Sequence, residues 1–547
     1  MVFKRTAVSG KPKGLPQQHA ILNNNTTMKK IITILTTLLL VCFVSTTTVA
    51  QLSSEKIDFL MTDALTKFKV AGASIAIVKD GKVIHSKGYG VADYTSKKPV
   101  NENTNFQIAS NTKAFTATAL ALLEEEGKLK WTDKVKDHIA EFKMYNDYVT
   151  EHFNIQDLLT HRSGLGLGVG DLMFFPDGSD FTIKDVVTSF QHFKPTSAFR
   201  TQFDYDNLLY IVAGEVIARA SGMSYEQFVQ KRIIAPLQMN NSFVGSLLKD
   251  KSNLASPHSS ESGTIKIIDA YDIGMGSAAG GIYSNVADMS KWMITRLNKG
   301  KYGTDLKSSL FSLENHYEMW RIHTVTEANP NPRYNSHFSG YGLGWFLSDS
   351  KGNFRVEHTG GLPGMLSIVT MYPDLNFGIV ILTNTENGGS GLFYAVSNTI
   401  SDSYLGLDDF GWTDKIVDRM NKYRGSGDEV TAKVWAKVEA SKNTPLKQED
   451  YIGIYEDKWF GKVEVYRKDN QLWMKCHRSK KLNGPMAFYN ANTFAIKWEY
   501  QAMNCDAFAM FSLDETGKAQ SIKMKGISPN IDFSFDFHDL DLQRVKE

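Results

Sequence analysis

Apolar residues Ile57, Leu60, Met61, Ala64, Leu65 and Phe68 recur at helical spacing, so the pattern predicts an amphipathic helix over 53–68. Two short apolar runs follow, 73–78 and 83–86, on either side of Asp80-Gly81. That dipeptide tolerates the positive φ angles of a tight hairpin turn, so the runs predict paired strands. Residues 114–126, rich in Ala and Leu, predict a helix. A second hairpin-like pair comes late, 366–372 and 377–383, joined by Pro373-Asp374-Leu375-Asn376. Strands at both ends with helices between them predict one sheet built from the two termini of a domain at 51–405.

Beyond it, 406–444 reads as a helical linker, with its helix over 412–441, Thr413 as N-cap and a break at Gly425-Ser426-Gly427. From 445 the period changes. The segments 462–466, 472–476, 493–498, 507–513, 521–525 and 531–537 are short and alternating, with Asp469-Asn470 and Thr516-Gly517 between them. Such spacing predicts an all-β barrel or sandwich over 445–547. Its aromatics Trp459, Phe460, Trp473 and Trp498 suit a core or rim better than a ligand box.

Residues 1–50 carry six Lys or Arg and no acid. Lys29-Lys30, a 31–44 stretch that is apolar apart from Thr, and Thr48-Val49-Ala50 before Gln51 have the order of a signal peptide at about 28–50. The apolar stretch is short for a membrane span, which predicts export to the periplasm or beyond with no stable insertion after cleavage. The formal charge of +2 depends on this segment; the remainder holds 55 basic and 59 acidic residues. Nothing in that balance suggests a nucleic-acid partner. Only Cys476 and Cys505 follow the signal, and their spacing leaves a disulfide open against two buried thiols. No pattern with metal-ligand spacing occurs, so no metal or other cofactor is expected.

The chemistry begins at Ser110-Asn111-Thr112-Lys113, where a helical turn puts the hydroxyl and the amine on one face. An amine disfavoured as a cation can take the serine proton. The spacing alone says little: it recurs at Ser53, Ser246 and Ser348, where a capping serine near a solvated lysine suffices. Tyr205-Asp206-Asn207 adds a phenol able to share the proton and an amide able to hold both lysine and substrate. His358-Thr359-Gly360-Gly361 precedes an apolar strand, and its glycines let a substrate backbone approach the strand edge. Tyr283-Ser284-Asn285 also fits Y-x-N, although its Gly-Gly-Ile-Tyr-Ser context favours a packing role.

Taken in order, Ser110-x-x-Lys113, Tyr205-x-Asn207 and His358-Thr359-Gly360 resemble the three active-site motifs of class C β-lactamases and related serine DD-peptidases. The flanking segments 157–165, 279–284 and 341–345 resemble that family too, over about 51–390 in all. The resemblance implies an α/β (α+β) three-layer β-lactamase/transpeptidase-like domain with an antiparallel sheet and a helical subdomain carrying Tyr205. It implies Ser110 as nucleophile, Lys113 and Tyr205 as its proton carriers, and Asn207 and Thr359 as substrate-positioning groups. The N–H groups of Ser110 and Gly361 would form the oxyanion hole, with Gly360 beside them and His358 on the leaving-group or carboxylate side. The region from 445 on resembles the lipocalin-like barrel appended to such hydrolases, a surface through which copies could also associate. The family includes β-lactamases, DD-carboxypeptidases, D-aminopeptidases and esterases. Histidine at 358, where β-lactamases carry lysine, supplies only a fractional charge near neutral pH. The expected substrate is therefore a small or D-amino-acid peptide before an ester or a β-lactam; a non-catalytic penicillin-binding sensor is the reading from another class. The alternating glycines of 164–170 lack the G-x-G-x-x-G pattern and read as a mobile loop near the site.

Overall fold

The predicted first helix is α1 (Ser54–Phe68), capped by the Ser53 hydroxyl, which accepts the Lys56 N–H; Ile57, Met61, Ala64 and Phe68 are its buried face. Ser53 is thus a capping residue. This computed structural model describes residues 51–247, 251–260 and 263–546, so the expected signal peptide lies outside the described residues.

The hairpin follows as β1 (Gly72–Lys79) and β2 (Lys82–Asp93), with Asp80 and Gly81 at φ of 50° and 74°. The other strands of the sheet are β3 (Lys98–Pro99), β4 (Thr324–Val325), β5 (Ser339–Tyr341), β6 (Phe346–Ser350), β7 (Asn353–Leu362), β8 (Met365–Tyr372) and β9 (Phe377–Thr383). Their order is β4-β5-β6-β7-β8-β9-β1-β2-β3, antiparallel throughout. Ala73 faces Thr383, so the two ends of the domain meet at the middle of the sheet, as the pattern predicts.

Three helices between β3 and β4 shape the site: α2 (Lys113–Glu125), α3 (Asn207–Ser221) and α4 (Val286–Leu297). Two more follow the sheet, α5 (Gly389–Tyr404) and α6 (Trp412–Ala440). Alternate residues of the central strands serve separate cores. Ile75, Ile77, Ile379 and Ile381 pack with α1 and α5, whereas Ala76, Val78, Val380 and Leu382 pack with Met289, Trp292 and Met293 of α4. Both faces are covered, which gives the three layers and explains why β8 and β9 are buried without interruption.

The second module is a closed eight-stranded barrel: β10 (Gly453–Asp457), β11 (Gly461–Lys468), β12 (Gln471–Cys476), β13 (Asn483–Asn490), β14 (Thr493–Ile496), β15 (Ala507–Leu513), β16 (Ala519–Gly526) and β17 (Leu542–Arg544). Trp459, Phe460 and Trp498 are buried in its core and Trp473 is half-buried. Cys476 and Cys505 are buried and not joined to each other; the Cys505 thiol donates to the Tyr500 carbonyl at 3.3 Å. Among the described residues no helix is long and apolar enough to cross a membrane.

Two expectations need correction. Residues 531–537 are no strand: the connection from β16 to β17 is irregular apart from a turn at Phe537–Asp539. Its alternation has another cause. Phe535 and Phe537 are buried, while Asp532 and Asp536 accept backbone N–H groups and the Ser534 hydroxyl donates to Asp171. Gly425-Ser426-Gly427 is no break either, because α6 runs through it. A Cβ on Gly427 would stand 2.1 Å from the Asn530 amide nitrogen, so the glycine marks a close approach rather than a helix end. Thr413 lies inside the first turn, and Gly411 is the residue at the cap.

The barrel is not loosely tethered. Arg478 reaches Asp180 at 2.7 Å and grips both oxygens of Asp185 at 3.0 Å, and Lys481 meets Asp177 at 2.7 Å. Beneath these pairs Phe175 packs on Phe535, Phe181 on Phe460 and Phe193 on Trp459, with ring centroids 5.1–5.8 Å apart. One apolar cluster runs through both modules. A chain ended after Ser441 strips apolar cover from those rings; it is expected to lose the single cooperative urea transition of the full chain and to bind a hydrophobic dye. A truncated chain with a sharp transition and no dye binding would contradict this.

Candidate active site

Ser110 lies on a single 3-10 turn, Ala109–Thr112, that runs straight into α2. Ala109 before it holds φ of 47°, a left-handed conformation that costs a non-glycine residue energy and is kept by the packing around it. That packing is visible in β7. A Cβ on Gly360 would stand 2.2 Å from the Ile108 carbonyl oxygen, so only glycine lets the strand approach the serine turn this closely. Asn111 Nδ2 donates to Ser367 Oγ at 2.8 Å, and that hydroxyl donates to the Ile108 carbonyl at 2.7 Å, tying the turn to β8.

Lys113 is fully buried below Ser110. Its Nζ donates to Ser110 Oγ at 3.1 Å, Asn207 Oδ1 at 2.7 Å and the Ala279 carbonyl at 3.1 Å. Burial lowers its pKa to about 7, against the pull of Asp171 and Asp206. The identity of the three partners then decides the chemistry. The amide oxygen and the carbonyl can only accept, so a neutral Lys113 keeps its two N–H bonds on them and directs its lone pair to Ser110. The ring of Tyr205 lies 4.8 Å from Nζ. Burial raises its phenol, and a hydrogen bond with Ser110 opposes that shift. Asp206 caps α3 by accepting the Leu209 N–H, which sets Asn207 on the first turn facing Lys113.

A cavity of about 350 Å³ opens over these groups. Ser110, Tyr205, Asn207, His358, Thr359 and Gly361 all line it, with Gly360 buried behind and Lys113 beneath. All eight residues singled out in the sequence therefore converge. Tyr283 does not line the cavity: its hydroxyl accepts from Gln107 Nε2 at 2.9 Å, and Asn285 caps α4.

His358 differs from expectation. Its Nδ1 lies 2.6 Å from the Thr359 carbonyl, which can only accept, so Nδ1 carries the proton and Nε2 accepts from the Tyr341 hydroxyl at 2.9 Å. Burial and the nearby Lys113 lower its pKa to about 3. It holds no fractional charge near neutrality. No lysine or arginine is among the described residues that line the cavity, whose walls include Phe174, Phe175, Phe203, Phe346 and Phe533; its only carboxylates are Glu386 and Asp532.

Several residues at the site escaped the sequence reading. Met503, Asp532, Phe533 and Ser534 reach the cavity from the barrel. Asp171 is buried against Asn207 Nδ2 at 2.8 Å, and the His161 ring lies tilted against Tyr205 with centroids 4.3 Å apart. A signal existed for Asp171: Gly164, Gly166, Gly168 and Gly170 all take positive φ, and the loop they shape is pinned, with the Gly168 N–H on the Tyr205 carbonyl at 2.8 Å. Such a run of glycines marks a loop built to one shape rather than a mobile one. Among the described residues no cluster of His, Cys, Asp and Glu could hold a metal ion.

Comparison with known proteins agrees with this geometry. The profile described as Beta-lactamase matches residues 57–395, and a Domain of unknown function (DUF3471) matches 437–544. Protein flp of Staphylococcus aureus (strain MW2) is 29% identical over 356 residues, 61% of this chain and 64% of that protein's length. Unguisins hydrolase ungD of Aspergillus violaceofuscus (strain CBS 115571) is 29% identical over 391 residues, covering 65% of this chain and 66% of its own. The chain thus spans just under two thirds of either relative. The octameric penicillin-binding protein homologue from Pyrococcus abyssi shares the fold, with a TM-score of 0.56 and 22% identity over 90% of this chain and 100% of that one. Members of the matched family are serine hydrolases, and the match takes in all eight converging residues. This chain belongs to the Beta-lactamase family.

Proposed function

We propose that the chain is an exported serine hydrolase that forms an acyl-enzyme at Ser110 and cleaves amide or ester bonds of small substrates, in the first place short or D-amino-acid-containing peptides. The observation that carries this is the 3.1 Å contact between Lys113 Nζ and Ser110 Oγ, with the other two partners of the amine being groups that only accept. Lys113 takes the hydroxyl proton as Ser110 attacks the carbonyl carbon, and Tyr205 passes a proton to the departing amine or alcohol. The N–H groups of Ser110 and Gly361, on the same cavity wall, receive the oxyanion. Asn207 and Thr359 hold the substrate, and water then releases the acyl group. A penicillin-binding sensor would share the acylation step and lack the release by water, so turnover measured beside labelling separates that reading from a hydrolase.

The walls narrow the substrate. A cavity lined by aromatic rings, with two carboxylates and no lysine or arginine among the described residues, suits an apolar acyl group and disfavours a carboxylate beside the scissile bond. An esterase activity is the second reading, favoured by that apolar lining. The name of the fungal relative, a hydrolase of unguisins, is compatible with the first. The octameric state of the archaeal homologue makes association of this chain through its barrel part of the same proposal.

Ser110→Ala is expected to abolish labelling by a fluorophosphonate in a folded protein; undiminished labelling at another serine would remove the nucleophile. Lys113→Ala and Tyr205→Phe should each lower kcat/KM by about 10²–10⁴-fold on a p-nitrophenyl ester. The wild-type rate should fall as pH drops through about 7, because the active lysine is the neutral one.

His358 yields a separate expectation. Since it stays uncharged down to pH about 3, the ratio of nitrocefin to ester turnover should be flat between about pH 5 and 8. A ratio rising about tenfold toward acid would mean that an imidazolium faces the substrate.

A further inference from the structure

The reaction at Ser110 leaves unexplained a run of hydrogen bonds that starts in the barrel. The connection between β16 and β17 packs Asn530 on Gly427 of α6 and lays Phe533 edge-on to Tyr205, with ring centroids 6.0 Å apart. Two residues beyond Ser534, Asp536 accepts the N–H groups of Gly170 and Leu172 at 2.7 and 2.9 Å. Anchored on both sides, Ser534 donates its hydroxyl to Asp171 Oδ2 at 2.9 Å. The same oxygen accepts from Asn207 Nδ2 at 2.8 Å, and Asn207 Oδ1 accepts from Lys113 at 2.7 Å.

An amide has one accepting end and one donating end, so whatever meets one end decides what the other offers. A carboxylate oxygen already receiving the Ser534 hydroxyl takes an N–H from Asn207 and leaves the amide oxygen for Lys113. A protonated Asp171 could instead donate to Asn207 Oδ1. The amide would then turn its NH₂ toward Lys113 and compete with Ser110 for the lone pair.

We propose that Ser534 is a positioning residue for the reaction at Ser110: by holding Asp171 as an acceptor it keeps the oxygen of Asn207 toward Lys113. The barrel is then a working part of the catalytic apparatus as well as a wall of its cavity. The inference rests on the reading of Ser110 as nucleophile.

The charges around the pair make the hydroxyl matter near neutrality. Burial pushes Asp171 up to about 7, with the bonds from Asn207 and Ser534 and the charge of Lys113 pulling it down. Asp206, Asp532 and Asp536 face it as well. Lys113 is faced in addition by His161 and His358, both neutral, and by the rings of Tyr205 and Tyr210. Without Ser534, Asp171 titrates higher and supports the ammonium less, so Lys113 loses its proton at lower pH.

The test compares the full chain with Ser534→Ala, Asp171→Asn and the double variant on a small p-nitrophenyl ester across pH. Ser534→Ala should lower kcat roughly tenfold, about the worth of one hydrogen bond to a charged group, with KM within about twofold. It should also move the acid limb of kcat/KM down by about half a pH unit or more. Asp171→Asn should move that limb further the same way, and adding Ser534→Ala to it should cost nothing more. An unchanged limb in Ser534→Ala, or effects that add in the double variant, would overturn the inference. Ser110→Ala is the separate arm. If it still labels with a fluorophosphonate, the nucleophile reading fails; if it is inert while Ser534→Ala keeps the wild-type profile, only the role of Ser534 fails.

Discussion

An ammonium group taken fully out of water loses several kcal/mol of hydration, and the protein must return that in hydrogen bonds and charge or let the proton go. Lys113 is held between these outcomes. Its three bonds satisfy the cation, and Asp171 and Asp206 support it, yet burial is the larger influence and leaves its pKa at about 7. Much of the architecture follows from keeping that lysine dry. The 3-10 turn at Ala109–Thr112 closes over it, the Ala279 segment supplies a carbonyl from one side, and α3 presents Asn207 from the other. Gly344, at φ of 78°, stands so near the Lys113 carbonyl that a Cβ would fall 2.8 Å from it, which brings the approach to β6 onto the start of α2.

The barrel belongs to the same constraint. Asp171 touches Lys113 through Asn207, and its other polar partner comes from Ser534. A buried carboxylate without donors would be expensive or neutral. The loop that carries Asp171 is itself fixed by Asp536, so both the charge and its scaffold lean on residues from the end of the chain. The apolar rings under Arg478 and Lys481 complete the joint between the modules.

How much of this was readable in the sequence depends on how local the signal is. The hairpin at Asp80-Gly81, the capped α1 and the pair β8–β9 are local patterns, and they appear within a residue or two of expectation except that β2 runs on from 86 to Asp93. The eight converging residues were also found, because each sits in a short motif whose glycine or cap has a physical task. The failures are all non-local. Residues 531–537 alternate as a strand would, but their polar positions face Asp171 and the Gly170 turn, over three hundred positions away in the chain. Gly427 looks like a helix breaker until Asn530 is placed against it. His358 looked like a titratable group because sequence does not reveal the Tyr341 hydroxyl and the Thr359 carbonyl that occupy its nitrogens.

The distribution of charge around the site carries the argument one step further. Asp171, Asp206, Asp532 and Asp536 are all buried or nearly so, and desolvation raises the pKa of each above its usual value, well above it for Asp206 and Asp536. Lys113 is the cation set against them, since His161 and His358 are held neutral. Four ionised carboxylates around one ammonium would leave uncompensated charge in a dry region, so protons must reside on some of the acids near neutrality. In the proposed reaction the proton that Lys113 would take from Ser110 enters a neighbourhood that already buffers protons, and opposite to it the cavity presents aromatic walls and, among the described residues, no lysine or arginine. On the proposed function, a nucleophile activated on its acidic side and facing an apolar one would favour substrates that bring bulk rather than negative charge, through the placement of groups distant in the chain.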